Sequence, residues 1–196
     1  MGKLNGAYMV KTKVQLLATV TYDKSWAWSK LSEGQYLNDL KSGKWQEFYI
    51  GSISEEGYFN AGKREGIWKS FVLMGNNAGD IYSETNYQNG KRNGLEKIYF
   101  STEWVDVSTD TEESSMPINR RVLEKTTYRD DAKNGLYELI DSMGVLIKTG
   151  KFLNDEKTGA WTEYIVTDNG ERDKFEINYN SDLLHGKLFR KNADGR

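Results

Sequence analysis

Six aromatic residues in this chain are each followed, seven residues later, by a glycine. The pairs are Tyr36 and Gly43, Phe59 and Gly66, Tyr87 and Gly94, Tyr128 and Gly135, Phe152 and Gly159, and Tyr179 and Gly186. Between them stand Asn38-Asp39, Ala61-Gly62, Asn89-Gly90, Asp130-Asp131, Asn154-Asp155 and Ser181-Asp182. Asn, Asp and Gly tolerate positive φ or bond their own backbone, so these dipeptides favour tight turns. Each unit therefore reads as strand, turn, strand, and the chain as a succession of β-hairpins.

With an even-numbered loop at each turn, the aromatic is expected to lie opposite its glycine. The residue two before the aromatic then faces the residue two after the glycine. That second pair is Gly34 with Trp45, Gly57 with Trp68 and Gly150 with Trp161. In the other units it is Thr85 with Glu96, Thr126 with Tyr137 and Ile177 with Leu188. Tryptophan occupies this place only where its expected neighbour is glycine. An indole needs unobstructed backbone to lie on, and a facing glycine provides it.

The connections from each glycine to the next aromatic are irregular. They run 16, 17, 20, 21 and 34 residues, which predicts one edge of fixed turns and one decorated edge. The longest holds "TEWVDVSTDTEESSMPIN", Thr102 to Asn119, acidic and containing Pro117, the single proline. It is expected to be mobile or to form an extra hairpin. "LNGAYMV", Leu4 to Val10, reads as the second half of a unit, with Gly6 and Tyr8 in the glycine and tryptophan places. "NADGR" stops on a turn signal. The half-units predict either a piece of a longer array or atypical caps.

Composition narrows the classes. Aromatics reach 13% while Leu, Ile and Val are sparse, and 19 glycines accompany the lone proline, a balance suited to strands and turns. A net charge of −2 without a basic run argues against nucleic acid. The absence of cysteine excludes disulfides and thiolate metal sites. No apolar run is long enough for a transmembrane helix. No secretory signal precedes the repeats, and "VQLLATV" is too short to be one. Because the first unit is half-formed, export stays open and the compartment is not fixed.

The pattern G-x-[YF]-x-x-[GD]-x-x-x-G-x-[WY], best seen in "EGYFNAGKREGIW" and "TNYQNGKRNGLEKIYF", resembles the MORN repeat, in its looser bacterial YwqK-type antitoxin variant. The resemblance covers roughly residues 30–190. It implies an all-β fold: an elongated, curved antiparallel sheet of successive hairpins, a single-layer meander. It treats 1–196 as one domain of about six units, with a partial unit at the start and the insertion at about 102–119. It implies scaffolding, protein interaction, membrane association in some members, or neutralising a toxin. Several units replace the first turn glycine by Asp, and unit spacing varies, so a uniform superhelix is not implied.

The candidate site residues divide in two. Trp45, Trp68 and Trp161, with the repeat aromatics and glycines, read as the sheet's apolar face. Trp26, Trp28 and Trp104 fall outside the repeat positions, on or near decorated connections. They read either as anchors for a protein partner or as caps on the first and third units. No catalytic set emerges. His185, the lone histidine, occupies a turn place filled elsewhere by Ser42, Glu65, Asn93, Asn134 and Thr158. The acidic stretches at 106–113 and 167–173 lack the ordered ligand spacing of an EF-hand loop. The expectation is a non-enzymatic module without cofactor that binds another protein, a toxin or an assembly partner. The alternative is a carbohydrate- or peptidoglycan-binding module using aromatic stripes.

Overall fold

The computed structural model describes residues 3–16, 25–73, 78–99, 104–109, 112–117, 122–141, 143–167 and 170–191; within 12–16, 25–29, 104–109 and 112–117 it describes the backbone path alone. Among the described residues every regular element is a strand. In order they are β1 (Gly6–Leu16), β2 (Ser25–Leu37), β3 (Leu40–Tyr49), β4 (Ser52–Asn60), β5 (Lys63–Phe71), β6 (Ile81–Gln88), β7 (Lys91–Tyr99) and β8 (Trp104–Thr109). There follow β9 (Glu112–Pro117), β10 (Val122–Arg129), β11 (Ala132–Ile140), β12 (Leu146–Leu153), β13 (Glu156–Val166), β14 (Arg172–Asn180), β15 (Leu183–Leu184) and β16 (Phe189–Lys191). Fourteen strands pair antiparallel in sequence order, with β7 passing to β10 and β16 folding back onto β14. Of the two outcomes expected for the acidic insertion, the hairpin forms: β8 and β9 pair only with each other, from Trp104 with Pro117 to Thr109 with Glu112.

The turns follow from their dipeptides. Both central residues have positive φ in every unit, for example Asn38 at 53° and Asp39 at 68°, and Asn154 at 51° and Asp155 at 70°. These are two-residue type I′ turns, whose twist matches that of the strands they join.

Such a short loop alters the expected register. In its own hairpin each aromatic faces not the glycine but the residue two before it: Tyr36 pairs with Lys41, Phe59 with Arg64, Tyr128 with Lys133, and Phe152 with Lys157. The glycine pairs instead with the aromatic of the next unit, as in Gly43 with Phe59, Gly94 with Tyr128, Gly135 with Phe152 and Gly159 with Tyr179. Between turn and strand body the ladder slips by two residues. Gln35 pairs with Ser42, yet Glu33 pairs with Gln46. The repeat glycine lies inside that slip with φ of 71° at Gly43 and 65° at Gly159, a conformation that a side chain would strain.

Beyond the slip, tryptophan and glycine come together. A Cβ placed on Gly34, Gly57 or Gly150 would overlap the fused edge of the indole of Trp45, Trp68 or Trp161. Each indole N–H reaches past its glycine to the carbonyl of the next residue, at 3.1 Å for Trp45 to Gln35 and Trp68 to Tyr58, and 3.2 Å for Trp161 to Lys151. The ring thus lies flat along the strand with its one donor satisfied. Trp45 and Trp161 retain 1% of their surface and Trp68 3%.

By contacts the chain divides into two compact units, Met1–Tyr82 with Tyr87–Gly90, and Ser83–Asn86 with Lys91–Arg196. In unit one, Tyr8, Tyr36, Trp45, Phe59, Trp68 and Tyr87 form a continuous edge-to-face ladder with centroids 5.0 to 6.4 Å apart. In unit two, Tyr137, Phe152, Trp161 and Tyr179 form another, spaced 5.1 to 6.0 Å. Each such pair is worth about 0.5–1.5 kcal/mol beyond its burial.

Replacing Gly57 by Ala is expected to destabilise the protein by about 1–3 kcal/mol in urea unfolding, because the methyl collides with Trp68. In a Trp68→Ala background the same change is expected to cost well under half as much, the coupling expected of groups in contact.

Candidate functional site

The sheet is built with unlike faces, because side chains alternate along each strand. One face carries the ladders. Over the rings lies a row of cations from the residue two before five of the six repeat glycines: Lys41, Arg64, Arg92, Lys133 and Lys157; the sixth position holds Leu184. The Lys41 ammonium stands 4.2 Å from the Trp45 ring and 5.0 Å from Phe59. The Arg64 guanidinium stands 4.0 Å from Trp68 and 5.3 Å from Tyr87. Arg92 covers Tyr128 at 4.1 Å, Lys133 covers Phe152 at 5.1 Å, and Lys157 lies between Trp161 and Tyr179 at 5.1 and 4.8 Å. The stems shield the rings while the charges stay at the surface. Carboxylates complete the cover: Lys41 pairs with Glu47 at 2.9 Å, Arg64 with Glu55 at 2.5 Å, and Lys148 with Glu163. Burial, then the charge of Lys148, holds the Lys157 ammonium below the usual lysine range.

The turns are tied to one another by the same residues. The second turn residue donates its N–H to the carbonyl at the cation position of the preceding unit: Gly62 to Lys41, Gly90 to Arg64, Asp131 to Arg92, Asp155 to Lys133 and Asp182 to Lys157, at 2.9 to 3.1 Å. Where that residue is Asp, its carboxylate also accepts the N–H of the same partner. Arg92, Lys133 and Lys157 donate to Asp131, Asp155 and Asp182 at 2.8, 2.8 and 2.7 Å. Leu4 and Asp39 repeat this two-bond clasp at the first turn. The Asp-for-Gly replacements in the turn pattern therefore add a hydrogen bond between neighbouring units.

In unit two the first indole place is filled differently. At the indole place stands Glu96, whose Oε1 accepts from Thr85 Oγ1 at 2.9 Å. Thr126, 1% exposed, donates to Glu124 at 3.0 Å. Burial, and then the charge of Glu96, pushes the Tyr128 phenol up to about 12. Burial and Glu124 raise Tyr137 as well.

The opposite face carries apolar side chains in the open. In unit one these are Met9, Leu37, Leu40, Tyr58 and Ile67, 46% to 58% exposed. Among them run the polar contacts of Lys44 and Gln46 to Glu56, both at 3.0 Å. A shallow depression of about 350 Å³ lies beside Gly34, lined by Ala7, Met9, Gln35 and Lys44 among others.

The backbone places Trp26 and Trp28 at the start of β2, opposite Gln15 and Lys13, and Trp104 at the start of β8. Their side chains lie outside the described residues. His185 is exposed and contributes its backbone N–H to Asn178 O at 2.8 Å. Among the described residues no group of three or more His, Asp or Glu could hold a metal ion. No helix among the described residues is long and apolar enough to cross a membrane. The cation row was missed in reading the sequence, although its signal is plain: a Lys or Arg at one fixed offset in five units. Comparison with protein-family models finds no match, and neither does comparison with curated proteins.

Two outcomes test this site. Asp155→Gly keeps the turn conformation and removes one clasp bond, so a loss of up to about 1 kcal/mol is expected in urea unfolding. For Tyr128, the folded pKa near 12 lies above the unfolded value of about 10, so the folded state holds the proton more tightly. Its contribution is fully present below about pH 10 and is lost as pH rises through about 12. Tyr128→Phe is expected to flatten that alkaline limb of the stability curve.

Proposed function

We propose that this chain is a non-catalytic, MORN-like repeat module that binds another protein through the face of unit one opposite its aromatic ladder. The observation that carries the reading is the division of labour between faces. Among the described residues of unit one, the buried side chains Ser32, Trp45 and Trp68 lie on the ladder side. Met9, Leu37, Leu40, Tyr58 and Ile67 nevertheless stay exposed on the other, with charged groups between them. Apolar residues left about half exposed, rimmed by polar ones, have the composition of a protein contact surface. A scaffold segment of a larger assembly and a toxin-neutralising protein both fit this chemistry. They share one mechanism, docking of a protein surface without turnover.

The carbohydrate reading needs open ring faces on which a sugar can stack. The repeat tryptophans do not offer them, since each lies against its glycine on one side and under a Lys or Arg stem on the other. Trp26 and Trp28 extend the protein-binding reading along β2 as a second anchor.

A photo-crosslinking residue at position Ile67 is expected to capture a defined protein in cells that make this chain. The purified partner is then expected to bind at least about tenfold more weakly to Tyr58→Glu with Ile67→Glu, at unchanged thermal stability. Equal binding by that variant overturns the assignment of the face. Glycan-array binding that is lost with Trp26→Ala and Trp28→Ala, without unfolding, replaces it with the sugar-binding reading.

A further inference from the structure

Beyond that reading, the ladder side of unit two carries a pair of lysines that the other hairpins lack. The place two residues before the glycine under each indole, or before its substitute, changes along the chain. It holds Ser32, Glu55, Ser83, Glu124, Lys148 and Phe175, so it is a cation only in the fifth hairpin. Lys148 lies directly opposite Glu163 and forms an ion pair with it. In the first hairpin Ser32 lies opposite Glu47, the equivalent carboxylate, and Glu47 pairs there with the row cation Lys41 at 2.9 Å. Lys148 thus takes the carboxylate that the row cation holds in unit one. Among the described residues the row cation of the fifth hairpin, Lys157, stands in no ion pair. Two ammonium groups are left over one indole: Lys157 is 5.1 Å and Lys148 5.7 Å from the Trp161 ring. Tyr179 lies 4.8 Å from Lys157.

The geometry points to Lys157 as a nucleophilic lysine, a modification site for small aldehydes. Like charges placed together favour the loss of one proton, and Glu163 holds the proton on Lys148. Burial, then the charge of Lys148, loosens the proton of Lys157, and Glu163 and Asp182 offset this only in part. A lysine beside a second cation, partly withdrawn from water, is available as the free amine. Lys157 is half-buried, so a small carbonyl compound reaches it beside the half-buried Tyr179 ring. The step needs no further reactant. Nζ of the free amine adds to the carbonyl carbon, forming a C–N bond, and one of its protons passes to the oxygen. The hydroxyl then leaves as water with the second proton, and an imine remains.

The test treats the full chain near neutral pH with propionaldehyde and cyanoborohydride, which reduces the imine to a stable secondary amine. Peptide mass spectrometry then reads the labelling residue by residue. Lys157 is expected to react at least about fivefold faster than Lys41, its counterpart over Trp45. In concentrated urea the two are expected to react alike, because the unfolded chain keeps neither lysine pair nor ion pair. Lys148→Ser recreates the arrangement found at Ser32, leaves Glu163 to Lys157, and is expected to bring Lys157 down to the rate of Lys41. Ser32→Lys is the reverse change and is expected to raise the rate at Lys41. Near-ultraviolet circular dichroism of the packed indoles confirms that each variant is folded. Equal rates at Lys157 and Lys41 in the unaltered folded chain overturn the site. A Lys157 rate that ignores Lys148→Ser overturns the lysine pair as its cause. Either failure leaves the docking face untouched, because the Tyr58 and Ile67 variants test it separately.

Discussion

An indole lying flat on a glycine backbone is the interaction on which the rest of this sheet depends. A single layer of strands has no second layer to pack against, and most sheets bury one face on a partner. Here the partner is the sheet's own side chains, laid sideways. Trp45, Trp68 and Trp161 can lie down because Gly34, Gly57 and Gly150 offer no Cβ, and because each N–H finds a carbonyl one residue further along. The neighbouring Tyr and Phe rings then meet the indole edges at steep angles, and Lys or Arg stems close the top. Burial of 97% or more is reached without a second layer.

Register is what brings ring and glycine together, and two local devices set it jointly. The type I′ turn fixes the first pairs of each hairpin, and the positive-φ glycine then slips the ladder by two residues. Without the slip, Gly34 would face Gly43, and the indole of Trp45 would lie beyond its glycine. The turn register sets the cation opposite the aromatic of its own hairpin, and the slip that follows brings the indole under its stem. Glycine at the repeat position and glycine under the indole thus serve different ends, one conformational and one steric.

Much of this was legible in the sequence because its causes are local. Turn dipeptides and a fixed seven-residue interval mark six hairpins, and the coincidence of Trp with Gly marks the covered face. The register near the turn was not legible. The expectation placed Tyr36 opposite Gly43, whereas the structure pairs Tyr36 with Lys41 and Gly43 with Phe59. Spacing alone does not distinguish a wide loop from a tight turn followed by a bulge, since both bring Gly34 to Trp45. The cation row was overlooked for a different reason. Lysine and arginine are read as surface residues, and their aliphatic stems count as core only once the rings beneath them are known. Trp26 and Trp28 were expected on or near a connection; the backbone places them at the start of β2, opposite Gln15 and Lys13 and next to the connection that follows β1.

The placement of the core has a consequence for how such a chain can vary. Each ladder rung draws on fixed positions: the aromatic, its glycine, the cation and the indole or its substitute. The residues that alternate with them point to the other face and carry none of that constraint. Tyr58 and Ile67 lie one residue away from Gly57 and Trp68 along their strands, yet they are free to be apolar, charged or small without disturbing the ring stack. Where the ladder itself changes, as at Thr85, Glu96 and Thr126, hydrogen bonds replace ring packing, and burial with the nearby Glu96 charge raises the Tyr128 pKa, so the alteration is absorbed on the covered face. A sheet organised this way separates the residues that make it fold from those that can be altered to suit a partner, and it does so by nothing more than the alternation of side chains along a strand.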